Sequence, residues 1–264
     1  ILPEHVYGAV PVAQWQEAET NREPLGSGPF SFDEYRPGEF ISVRAFDGHW
    51  EGRPCLDRLI VRFGDQNTLL AALLNGELDA APVPIDGADT VDEDPDLNLQ
   101  VVDTLTFQYI GTNLRGPILS DPAVRRAIAH AVNRQAMVNG LLQGYGRTLD
   151  SIFPTNHWSY PPDVEGIEYD PEAAAAILEE AGWELDGNVR VKDGQRLSLR
   201  LFVPTGNQVR ERSAPLIQAN LRQIGMEIEI RTMDFATLVT FLLPRDDAGE
   251  PRPVEADDFD LFLL

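Results

Sequence analysis

The sequence predicts an α/β fold with mixed sheets, on three observations. Two segments, "SDPAVRRAIAHA" and "YDPEAAAAILEEAGW", share the grammar of a capped helix: an N-capping side chain, then proline, then apolar residues at helical spacing. Around them lie short stretches rich in β-branched and aromatic residues, such as 38–46, 56–63 and "FQYIGTNL", which read as strands. The length of 264 residues allows one large domain or two ordinary ones.

Taken in order, "PLGSGPFSFDEY" opens with a glycine-bracketed turn that feeds an acidic strand. It is not a phosphate cradle. "GSGPF" lacks the lysine and spacer of a P-loop, it is not GxGxxG, and Pro29 has no N–H to give an anion. The strands at 38–46 and 56–63 flank the turn "DGHWEGRPC". In "QNTLLAALLNGELDAA" the leucines recur at helical spacing and Gly76 is placed to end the helix. "NLQVVDTL" and "FQYIGTNL" then read as strands. Ser120 or Asp121 caps the next helix, Pro122 starts it, and Val124, Ile128, Ala131 and Val132 share a face. Asn133 caps a second helix that ends at Gly140 or Gly144, and Asp170, Pro171 and Gly182 bound a third.

"VRVKDGQRLSLRLFV" reads as a hairpin, because Asp193 and Gly194 suit a type I′ turn. "QVRERSAPLIQANLRQIG" is a helix ending at Gly225; Pro215 inside it means that the helix kinks there or begins near Ser213. A strand, "MEIEIRTM", and a short apolar helix, "FATLVTFLL", follow. After a proline-rich acidic loop the chain stops in "FDLFLL". A buried strand is an unusual terminus, so the sequence reads as a fragment of a longer protein.

With 21 basic against 43 acidic residues the net charge is −22, which disfavours nucleic acid and anionic membrane surfaces as partners. One lysine, Lys192, stands among otherwise arginine cations; that skew bears on solubility rather than chemistry. No run approaches the roughly 18 apolar residues of a membrane helix, and "ILPEHVYGAV" has no signal-peptide pattern. Cys55 is alone, with no cysteine partner for a disulfide.

No catalytic constellation is spelled out. His5, His49, His130 and His157 have no ligand spacing, so no metal site is expected. Adjacent acids such as Glu179 and Glu180 point apart on a helix and do not form an acid–base dyad. No GxSxG elbow is present. What remains is a set of loops, "FQYIGTN", "FPTNHWSYPP" and "VPTGNQ", whose aromatic and amide groups suit a pocket that holds a ligand without reacting with it.

Several segments together resemble the family 5 extracellular solute-binding proteins, the peptide and nickel type that serve ABC importers. They are "ILPEHVY", "PLGSGPFSFDEYRPGEFISVRAFDGHWEGRPCLDRLIVRF", "LLAALLNGELD", "GTNLRGPILSDPAVRRAIAHAVNRQAMVNGLLQGYG", "YDPEAAAAILEEAGW" and "IQANLRQIGMEIEI". The resemblance implies a class II periplasmic-binding-protein-like α/β fold present only in part. Residues 1–105 would be the later part of a first lobe, and 106–264 most of a second that closes on the ligand. It implies binding of an oligopeptide or similar solute, no enzyme activity and no cofactor. It also implies an extracytoplasmic monomer with ABC permease subunits as partners.

The residues carried over are Tyr109, at a cleft-lining position, Asn113 in the same segment, Trp158 in a loop near the ligand, and Asn207 and Arg210 in a loop contacting its far end. Leu263 stands where one peptide binder has a basic residue, and the acidic residue that pairs with a peptide's amino terminus would lie beyond Leu264. Two other functions stay open here, an extracellular peptide hydrolase and a ligand-sensing module for a membrane receptor.

Overall fold

A computed structural model describes residues 3–161 and 163–264, apart from the side chains of Gln16 and Glu19. Ile1 and Leu2 of "ILPEHVYGAV" and the last proline of "FPTNHWSYPP" lie outside the described residues. The chain divides into two compact units, the first running to Asn98 and the second from Leu99 to Leu264.

The first unit begins with a short helix, α1 (Glu4–Tyr7), followed by an antiparallel meander of β1 (Phe30–Arg36), β2 (Phe40–Ala45) and β3 (Arg58–Arg62). Gly38, at φ 76°, makes the tight β1–β2 turn in the left-handed region that glycine enters freely. The register shifts between Phe32 and Glu34, and at that irregularity Asp33 meets the buried Ser42 and two arginines. Ser42 Oγ donates to Asp33 at 2.9 Å, Arg44 reaches Asp33 at 2.6 Å, and Arg58 lies 3.3 Å from it. One carboxylate thus separates Arg44 and Arg58, like charges that face each other across β2 and β3. The helix α2 (Gln66–Leu74) is capped by Asp65, and α3 (Ala88–Asp92) closes the unit.

In the second unit, β4 (Ile110–Thr112) leads to α4 (Pro122–Ala131), α5 (Arg134–Leu141) and α6 (Pro171–Glu180). Asp121, Asn133 and Asp170 cap these three helices, the last two as the sequence indicates and the first from its two candidates. A small sheet follows, β5 (Glu184–Asp186), β6 (Val189–Lys192) and β7 (Gln195–Arg196). Asp193 and Gly194, at φ 53° and 78°, form its second turn. The expected hairpin stops there, because beyond Arg196 the chain enters β8 (Ser198–Pro204) in a different sheet. The alternation of buried Leu197, Leu199, Leu201 and Val203 directs that strand into the main core.

Next comes α7 (Gln208–Gln223), which begins at Gln208 and runs through Pro215. Pro215 is exposed, so the Glu211 carbonyl that loses its N–H partner faces water on the outer side of the helix. The chain continues through β9 (Glu227–Met233), α8 (Phe235–Leu242) and β10 (Leu261–Leu263). The main sheet has the order β4-β10-β8-β9; β8 is parallel to both β9 and β10, and β4 is antiparallel to β10.

One face of this sheet packs with α4, α6 and α7 through Val124, Leu178, Leu201, Ile217, Leu221 and Leu261, all within 2% of full burial. The other face packs Phe202 against Leu238 of α8 and Phe259. Arg190, 3% exposed, ties the helices to the small sheet by donating to Ile224 O (2.8 Å), Trp183 O (2.7 Å) and Glu179 (3.1 Å). It satisfies the carbonyl of Ile224 at the C-cap of α7, which has no partner inside its helix, and that of Trp183 in the segment leaving α6.

Two strand expectations need correction. "NLQVVDTL" forms no strand: Val101, Val102 and Leu105 are 59–72% exposed, and among the described residues no strand lies beside them. An extended apolar run becomes a strand only where a ladder accepts it. "FQYIGTNL" is a strand only over Ile110–Thr112, where β10 supplies that ladder.

Candidate functional site

Because β8, β9 and β10 run parallel and β4 runs against them, three carboxyl ends and the amino end of β4 share one edge of the main sheet. In open α/β sheets this is the edge where ligands bind. Backbone hydrogen bonds lock it: Tyr109 N–H donates to Leu264 O at 2.6 Å, Leu264 N–H returns to Tyr109 O at 3.0 Å, and Thr205 N–H reaches Met233 O at 2.8 Å. Both α7 and α8 start here, so two positive helix ends face the same way.

Tyr109, Asn207 and Arg210 come together at this edge. The Tyr109 ring is 44% exposed and meets Phe107 at 5.6 Å and Phe262 edge-on at 5.7 Å. Phe262 lies across Gly111, where an added Cβ would fall 2.1 Å from the ring. Glycine at 111 therefore lets Phe262 buttress Tyr109. Asn207 caps α7 by accepting from Arg210 N–H at 2.9 Å, while Glu211 accepts from Gly206 N–H at 2.7 Å, a reciprocal cap whose return bond is displaced one residue outward at each end from the usual box. Gln108 reaches Asn207 at 3.4 Å and joins the two strands' contributions. The Arg210 Nε–H is buried and has no hydrogen-bond partner among the described residues. A buried donor of this kind calls for an acceptor.

Asp234 caps α8 at the same edge, with its oxygens taken by Thr237 N–H (2.9 Å) and Thr237 Oγ (2.6 Å). The Thr237 hydroxyl, then its N–H, holds the Asp234 carboxyl below the usual carboxylate range, so it stays ionised.

The other two residues lie elsewhere. Asn113 is at the far end of β4 and 3% exposed. Its amide donates to Glu255 O (2.7 Å) and Phe259 O (2.8 Å), and its oxygen accepts from Arg115 N–H (3.1 Å). Those bonds make it a fastener for the loop before β10, with both amide hydrogens already engaged. Trp158 is 92% exposed in the loop after α5, where its ring lies 5.5 Å from that of His157. Leu263 is buried in the main core and does not point out of it.

Sequence reading missed Gln108, Asp234 and the pairing of Gly111 with Phe262. Asp234 had a local signal, an acid three residues before Thr237 ahead of an apolar helix. The other two depend on long-range strand pairing. Among the described residues, no three His, Cys, Asp or Glu side chains gather to hold a metal ion. The arrangement offers aromatic surface, amides, one guanidinium and two helix starts, a set suited to reversible holding of a solute.

Comparison with known proteins follows the same direction. Residues 1–264 match the model of the bacterial extracellular solute-binding proteins, family 5 Middle. The chain belongs to this family. Its members are solute-binding proteins of transporters, not enzymes. Oligopeptide-binding protein AppA of Bacillus subtilis is 34% identical over 250 residues, covering 92% of this family 5 chain and 46% of AppA. Peptide transport periplasmic protein SapA of Salmonella typhimurium is 34% identical over 216 residues, covering 80% of the chain and 37% of SapA.

The structure of AppA in complex with a nonapeptide matches with a TM-score of 0.78 at 32% identity, over 100% of this chain and 52% of that one. That of NikA from Brucella suis in complex with Fe(III)-EDTA also gives 0.78, at 26% identity over 91% and 48%. The fold is that of class II periplasmic-binding proteins, and the chain spans about half the length of AppA. No helix among the described residues is long and apolar enough to cross a membrane.

Proposed function

We propose that this chain is part of the extracytoplasmic solute-binding component of an ABC importer, and that its cargo is an oligopeptide or similar solute. The observation that carries the reading is the likeness to AppA, an oligopeptide-binding protein whose solved complex holds a nonapeptide. In this reading residues 1–105 supply the later part of one lobe and 106–264 most of a second. Tyr109 offers a ring to the cargo, Asn207 and Gln108 offer amides, and Arg210 offers its free donor to a carbonyl or carboxylate. Asn113 and Gly111 act indirectly by fixing β4. A solute that touches both lobes only when they close shifts an open and closed population by its differential affinity. The permease then meets the closed form, and the binding component works as a monomer without nucleic acid or cofactor.

The test uses the full-length protein. Mass spectrometry of material that copurifies with it is expected to find peptides, and small-angle scattering is expected to record a smaller radius on adding them. Tyr109→Ala and Arg210→Ala are each expected to weaken peptide binding about tenfold, the loss typical of one well-placed anchor. Peptide-free protein that neither binds nor contracts with any peptide overturns the reading.

A further inference from the structure

The Tyr109 ring is braced from a second strand as well as from its own. We infer that Phe262 is the positioning residue of Tyr109 and that Phe259 backs it, so that the ring offered to the cargo is aimed from inside the second unit. The inference deepens the proposed function and rests on it. The backbone at Tyr109 is pinned by its paired hydrogen bonds with Leu264, so only the side-chain torsions remain to be set. Tyr109 and Gly111 share one face of their strand, and Phe262 stands directly opposite Gly111 on β10. Glycine has no side chain to fill that space, so the Phe262 ring leans over position 111 and meets its diagonal neighbour Tyr109 edge-on, at 5.7 Å and 77°.

Phe262 is itself held. Its ring meets Phe259 edge-on at 5.5 Å and 70°, and Phe259 is buried in the smaller core of the second unit, with Phe202 beside Phe262 in register on β8. Asn113 then fastens the backbone behind these rings: its amide donates to Phe259 O at 2.8 Å, and its N–H donates to Asp260 O at 2.9 Å. Phe107, the other ring at Tyr109, lacks such backing, since among the described residues its ring contact is Tyr109 itself, 5.6 Å away. Edge-on pairs favour a narrow range of ring orientations, so a fixed Phe262 passes its setting to Tyr109. A ring already oriented gives up little freedom when a cargo group covers it, which strengthens binding without any new contact.

The experiment titrates full-length protein, by calorimetry, with the tightest binder from a random nonapeptide library, the peptide length in the AppA complex. Phe262→Leu is expected to weaken binding about fivefold, the effect of freeing one side chain that binding must then order. In a Tyr109→Ala background the same substitution should change affinity by less than about twofold, because no ring is left to aim. Phe259→Leu, one ring further back, should weaken binding about twofold. Phe241→Leu serves as the control: Phe241 belongs to the same core, where its ring meets Phe202 at 5.0 Å, and its loss should lower the urea midpoint while leaving the affinity unchanged. A Phe262→Leu loss that is the same with and without the Tyr109 ring overturns the inference and leaves the proposed function standing. So does no loss in Phe262→Leu, an equal loss in Phe241→Leu, or binding indifferent to Tyr109→Ala. A library with no binder removes the proposed function and the inference together.

Discussion

The two units of this chain reach their folds by different means. In the second, strands and helices share a core buried on both sides of the main sheet, mostly aliphatic on one side and built on Phe202, Leu238 and Phe259 on the other. In the first, the buried apolar side chains among the described residues are Leu73, Pro84, Ala88 and Val91, while Tyr35, Trp50, Ile60, Val61 and Phe63 of the sheet and its turns are 44–79% exposed. Its meander is held by neighbouring-strand hydrogen bonds and by the Asp33, Ser42, Arg44 and Arg58 network. Local pairing can shape a sheet without a core, but ordering a residue costs about 1 kcal/mol or more, and burial is the main term that offsets it. The difference teaches that the shape of the first unit is local, whereas that of the second is both shaped and stabilised by its own packing.

The strongest way to break this comparison is to separate the units. Residues 99–264 expressed alone should keep a cooperative thermal transition by circular dichroism, and residues 3–98 should show none. A sharp transition in the smaller piece would mean that its polar network stabilises more than the comparison allows. Next in size is a pair of truncations. Leu201→Ala, at a fully buried side chain between Ile230 and Leu261, should cost about 3 kcal/mol in urea unfolding through the cavity it leaves. Ile60→Ala, at a side chain 51% exposed, should cost less than about 1 kcal/mol.

The same contrast explains what was legible in the sequence. Three helices of the second unit were readable because each begins with a side chain that caps its own backbone, as Asp121, Asn133 and Asp170 do, whereas the start of α7 at Asn207 was left open by Pro215. The Asp193–Gly194 turn was readable for the same local reason. Strand extents were not, because a strand needs a neighbour: the apolar run at 99–105 has none among the described residues, and β8 looked continuous with the hairpin before it. At the candidate site, Tyr109, Asn207 and Arg210 were singled out through family resemblance alone. Their gathering at one edge depends on the β4-β10-β8-β9 order, which brings the two ends of the second unit together and leaves no local trace. Asn113 shows the converse, an amide after a strand that looked like a ligand group and is spent on Glu255 and Phe259.

Buried polar groups sharpen the comparison further. Arg190→Met keeps an unbranched apolar stem but leaves the Ile224 and Trp183 carbonyls without their donor, and should cost about 2 to 3 kcal/mol. In the first unit, Arg53 joins Asp47 at 2.7 Å and also Asp57, in solvent. Arg53→Met should therefore leave the urea midpoint unchanged, because exposed ion pairs trade water contacts for each other with little net gain. A larger loss at Arg53 than at Arg190 would reverse the assignment of packing to one unit and local pairing to the other.

The smallest effect is in acid. Arg252 donates to both oxygens of Asp258 at 2.9 and 2.5 Å, and this bonding first, with Glu255 N–H assisting, holds the Asp258 carboxyl below its usual range. Asp65 in the first unit is lowered too, chiefly by the Thr68 hydroxyl, at the exposed start of α2. A carboxyl lowered in the folded state contributes stability that is complete above its unfolded value, about pH 4, and is lost as pH falls through the lower folded value. Asp258→Asn should therefore be less stable than the parent at pH 7, and the gap should close on acidification below about pH 4 as the parent's carboxylate protonates. Asp65→Asn should show a smaller gap at both ends, because asparagine caps a helix nearly as well as aspartate. Asp258 secures the loop whose Glu255 and Phe259 carbonyls Asn113 grips, so its protonation loosens packing next to β10, whereas protonation of Asp65 frays one helix end. Urea midpoints at pH 7 and pH 3 measure both gaps, and an Asp258→Asn gap that is the same at the two pH values would show that the loop is held without its ion pair.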